Sequence, residues 1–80
     1  MNEYLQNVYD SVFDLVYQST LDRKAHDPSF TKDQLQELLQ TYYVNIDNNW
    51  EGRGEIKETE LAATVAAYEV VLANWDEKPA

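Results

Sequence analysis

Apolar residues recur at spacings of three and four in three separate stretches, the pattern of helices that each lay one face on a core. In the first stretch they are Leu5, Val8, Tyr9, Val12, Phe13, Val16 and Tyr17, with Asn7, Asp10, Ser11, Asp14 and Gln18 on the other side. That stripe is wide enough to face two neighbouring helices. Asn2 precedes it as a cap and Glu3 sits in its opening turn, where carboxylates are favoured. The second stretch opens on Thr31 with Gln34 three residues later, a capping box, and Phe30 and Leu35 are placed as the hydrophobic staple around it. Its stripe is Leu35, Leu38, Leu39, Tyr42 and Ile46. In the third stretch Leu61, Val65, Tyr68, Leu72 and Trp75 step by four, three, four and three, a heptad-like seam. Ala62, Ala63, Ala66 and Ala67 flank that seam and permit close approach of another helix.

These patterns predict helices near residues 3–20, 31–46 and 57–75, in one helical domain spanning 1–80 with a tail from about 76. Residues 22–30 are expected to be a polar connection, because Asp27-Pro28 disfavours helix there. Asn45–Asn49 favours turn conformations, and the chain's two glycines, Gly52 and Gly54, follow at once. A glycine-permitted turn, with Trp50 over the core, is the plain expectation for that stretch. The expected fold class is all-α, a small three-helix bundle.

Fifteen acids oppose six bases, for a net charge of −9. Nucleic acids and anionic membranes are recognised by clustered Lys and Arg, so neither is an expected partner. The chain has no cysteine, hence no disulfide and no thiolate chemistry, which suits a reducing compartment. With no apolar run near the ~20 residues that span a bilayer and no signal-like N-terminus, a cytoplasmic location is expected.

Around the glycines, residues 47–60 resemble a degenerate EF-hand calcium loop, which needs oxygen ligands at positions one, three, five and twelve and a glycine at six. Starting at Asp47 supplies Asp47, Asn49, Glu51, Gly52 and Glu58, but puts Gly54 where that family has an apolar residue. Starting at Asn49 aligns Gly54, Ile56 and Glu60, but puts cationic Arg53 at a ligand position. The resemblance implies a calcium-responsive module with Asp47, Asn49, Glu51 and Glu58 as candidate ligands. No other metal or cofactor site is expected. Gly52-Arg53-Gly54 follows a helix and lacks a GK[ST] continuation, so it is no phosphate loop. His26 reads as an exposed residue, and no serine has a nucleophile-elbow context. An enzyme is not expected.

The function expected first is that of a small acidic helical protein acting by protein–protein interaction. In size and charge alone the chain resembles the small acidic inhibitors of phages and mobile elements. The wide first stripe and the third seam exceed what the shorter second helix can cover. Val12, Val16, Tyr17, Val71 and Trp75 are the residues expected to be left over as an interaction surface, either for a protein of unknown identity or for a second copy in a homodimer.

Overall fold

The computed structural model describes residues 3–49 and 54–76, with the side chains of 3–44 and 54–76. It contains three helices, α1 (Glu3–His26), α2 (Lys32–Asn49) and α3 (Gly54–Ala73). They pack as a small all-α three-helix bundle.

Each boundary has a local cause. α1 runs to His26, six residues beyond the expected end, because Asp22, Arg23, Lys24 and Ala25 are compatible with helix and the last turn welcomes cations. The chain leaves the helix at Asp27-Pro28, the dipeptide that disfavours it. There Asp27 accepts from the Ser29 hydroxyl (2.6 Å) and amide (3.0 Å), which closes a tight turn. Thr31 then caps α2: its hydroxyl accepts from the Gln34 amide at 3.2 Å. Both staple residues, Phe30 and Leu35, are buried. α2 continues to Asn49, through the run expected to fray, and the side chain of Ile46 lies outside the described ones. Gly54 opens α3 with φ of +80°, a left-handed conformation that favours glycine.

α1 and α3 form the principal pair. α2 packs on α3 and makes no backbone-level contact with α1. The Lys24 ammonium near the end of α1 reaches the Trp75 carbonyl just past the end of α3. One turn back, Tyr17 and Leu21 pack on the same cluster as Tyr68 and Leu72. The two helices therefore run in the same direction, with α2 returning between them in sequence.

The deepest row of α3 is Thr59, Ala63, Ala67 and Val71, at intervals of four. This corrects the expectation that the heptad-like seam forms the core. Val65 of that seam is buried, but Leu61, Tyr68, Leu72 and Trp75 are only half-buried. Small side chains win the inner position because they let two backbones approach. The hydroxyls do not obstruct this: buried Thr59 donates to the Glu55 carbonyl at 2.7 Å, and buried Thr20 on α1 to the Val16 carbonyl at 2.6 Å. Phe30, Leu35 and Val71 form the core cluster at the end where all three helices meet. The body measures 38 × 28 × 17 Å, wider than it is thick, because α2 splays to one side. Its radius of gyration of 13.7 Å exceeds the roughly 12 Å of a closely packed chain of this length.

Candidate interaction surface

The meeting end of the helices is closed by aromatic rings and cations. Phe30 and Trp75 pack edge to face, ring centres 5.6 Å apart. The Arg23 guanidinium lies 4.3 Å from the Phe30 ring centre, and the Lys24 ammonium 4.7 Å from that of Trp75. Lys24 also donates to the Trp75 carbonyl at 2.6 Å, satisfying an acceptor at the end of α3. Lys32 donates to Asp76 at 2.7 Å, and Arg23 pairs with Asp27 at 3.5 Å. The adjacent basic pair of the sequence is thus engaged within the chain.

The shifted titrations at this end follow from those contacts. Hydrogen bonds from Ser29, assisted by Arg23, hold the Asp27 carboxyl below its ordinary range. The Lys32 ammonium does the same for Asp76. Between α2 and α3, the Tyr43 hydroxyl donates to Glu69 at 2.6 Å, and that bond pushes its pKa up. Burial raises Tyr68, whose ring sits 5.8 Å from that of Tyr42. Each cause is a packing or pairing contact.

Of the five residues expected to be left over, Val71 lies in the core cluster and Tyr17 and Trp75 pack against it. Val71 is 2% exposed, in the core cluster, and this corrects its assignment to a free surface: Phe30, Leu35, Tyr17 and Leu21 close over it. Trp75 is half-buried between Phe30 and Lys24. Tyr17 packs against the same cluster and stacks on Phe13, which in turn stacks on Tyr9. Val12 and Val16 stay half-buried. The large apolar residues most open to solvent are Leu15 at 67% and Tyr4 at 61%, followed by Val44, Ile56 and Val70. Leu15 and Tyr4 stand eleven residues apart on α1, three helical turns. Their signal in the sequence was to be apolar and yet off the three-and-four stripe.

Among the calcium-ligand candidates, Asp47 and Asn49 belong to the helical backbone of α2, and their side chains lie outside the described ones. Glu51, like Trp50, lies outside the described residues. Glu58 is exposed within α3. Four residues, 50–53, separate the two helices, whereas the Asp47 register needs an open loop across 47–54. Among the described residues no three His, Asp or Glu side chains converge as metal ligands. His26 is exposed at the end of α1 and contacts Asp22.

Hollows open to solvent among the described residues. One of about 450 Å³ is lined by Tyr42, Lys57, Glu60, Leu61 and Thr64. Another of about 360 Å³ is lined by Arg23, Phe30, Gln34, Glu37, Leu38 and Thr41. Each holds a single cation and a single carboxylate. Among the described residues no helix is long and apolar enough to cross a membrane.

No protein-family model matches the chain, no curated protein matches its sequence, and no solved structure matches its fold.

Proposed function

We propose that this is a small acidic helical protein of the cytoplasm that acts by binding another protein, as an inhibitor or adaptor, and not by catalysis. The observation that carries this reading is where the cations go. Arg23, Lys24 and Lys32 are drawn into contacts with Asp27, Phe30, Trp75 and Asp76 at one end of the molecule. The parallel course of α1 and α3 sets Glu3 and Asp10 in the same half of the molecule as Glu55, Glu58 and Glu60, with Lys57 as the one base in residues 3–10 and 55–60. A field of one sign steers association with a basic partner and repels nucleic acid.

The test is capture. Immobilised protein is exposed to nuclease-treated lysate of its native host at about 0.1 M and 0.5 M salt, and retained proteins are identified by mass spectrometry. A basic protein retained at low salt and released at high salt is the expected result. Retention seen only when the nuclease step is omitted would count against the reading, as would retention of nothing above a blank support.

A further inference from the structure

We propose that α2 is a lid on the α1–α3 pair. It is released as one unit while the pair stays folded, and the Tyr43–Glu69 hydrogen bond is its catch. Such a lid does not depend on the partner proposed above.

The three helices are not held alike. α1 and α3 are the principal pair, whereas at the level of the backbone α2 touches α3 alone. The start of α2 is well anchored. Lys32 donates to Asp76 at 2.7 Å, and Leu35 is fully buried in the cluster with Phe30 and Val71. Two turns on, roughly 12 Å at about 1.5 Å per residue, the attachment is thinner. The rings of Tyr42 and Tyr68 lie 5.8 Å apart, tilted at 47°, and the Tyr43 hydroxyl donates to Glu69 at 2.6 Å. Beyond these contacts an open hollow of about 450 Å³ parts Tyr42 from Lys57, Glu60, Leu61 and Thr64 of α3.

An element with few packed contacts opens at lower free energy than the body it rests on. α2 meets that condition, and the α1–α3 pair, closed along its row of small residues, does not. The Tyr43–Glu69 bond runs from side chain to side chain between α2 and α3, and it is exposed. Neither helix needs it for its own backbone, so its loss weakens the attachment and spares the helices. Release uncovers Leu35 and Leu39, the buried residues of α2 among those described, and with them the side of α3 that carries Tyr68 and Leu72.

The experiment follows amide hydrogen exchange of the full-length protein by NMR, in rising urea below the unfolding midpoint. Amides of residues 36–44 are expected to exchange through one shared opening, roughly tenfold more frequent than the openings of α1 and α3. Tyr43→Phe keeps the ring and removes only the hydroxyl. It should raise exchange in α2 about fivefold, the factor for one hydrogen bond, and leave α1 and α3 unchanged. Phe30→Ala, at the point where all three helices meet, should instead raise exchange in all three. A single opening shared by the three helices would overturn the lid. Equal acceleration of all three by Tyr43→Phe would do the same, and so would no acceleration of α2.

Discussion

Thr31 is the residue at which sequence and geometry meet most directly. Its hydroxyl answers the Gln34 amide, and replacing it with Ala leaves that donor to water. Loss of an N-cap side chain costs about 1 kcal/mol, the decrease expected for Thr31→Ala in chemical denaturation. Phe30→Ala should cost more, roughly 3 kcal/mol, because Phe30 is both staple and core. Asp27 makes a pH-dependent contribution whose sign is fixed. Its folded pKa lies below the ordinary 3.8, so the stabilisation is present above that value and is lost as pH falls through the folded one. Asp27→Asn should therefore be less stable than the parent at neutral pH and level with it in strong acid, as read from denaturation midpoints against pH. The cap and staple were readable because they depend on neighbours in sequence. The clamps of Arg23 on Phe30 and Lys24 on Trp75 were not, since Lys24 and its ring are 51 residues apart.

At the scale of the elements, the row of small residues on α3 decides the architecture. Thr59, Ala63, Ala67 and Val71 are the positions where α3 sits deepest, and bulk there must separate it from its neighbours. Ala67→Leu, at a residue fully shielded from solvent, should lower stability by about 1–3 kcal/mol. Ala62→Leu, at an exposed position of the same helix, should be nearly neutral. Equal effects in urea denaturation would mean that the row does not set the spacing. Three helices and their rough positions were legible because periodicity reports directly on burial. The choice between seam and small-residue row was not, because Leu61, Tyr68 and Leu72 carry the larger hydrophobic signal while Ala carries the closer approach. The end of α1 was misjudged for a related reason. Residues 22–26 are polar, but a polar stretch can remain helical when cations sit at its C-terminal end. Val71 was assigned to a free face because its sequence neighbours do not reveal that Phe30 and Leu35 close over it.

Across the whole molecule, the parallel pairing of α1 and α3 organises the charge. Both positive dipole ends lie together, and Glu3 and Glu55 occupy their first turns. The negative ends lie at the other side, where Arg23, Lys24 and His26 complete α1 and Lys24 serves the Trp75 carbonyl. Dipoles thus favour the segregation of acids from bases, but they do not cancel the excess of acids. With a net charge of −9, repulsion among carboxylates should outweigh the few attractive pairs, which are exposed and individually worth little. Salt screens both, over about 10 Å at 0.1 M and about 3 Å at 1 M. The excess repulsion loses more, so the melting temperature followed by circular dichroism should rise between about 0.01 M and 0.5 M sodium chloride. A melting temperature that falls with salt would mean that the cation-lined end, with its Lys24 and Lys32 contacts, holds the bundle together more strongly than the acidic end drives it apart.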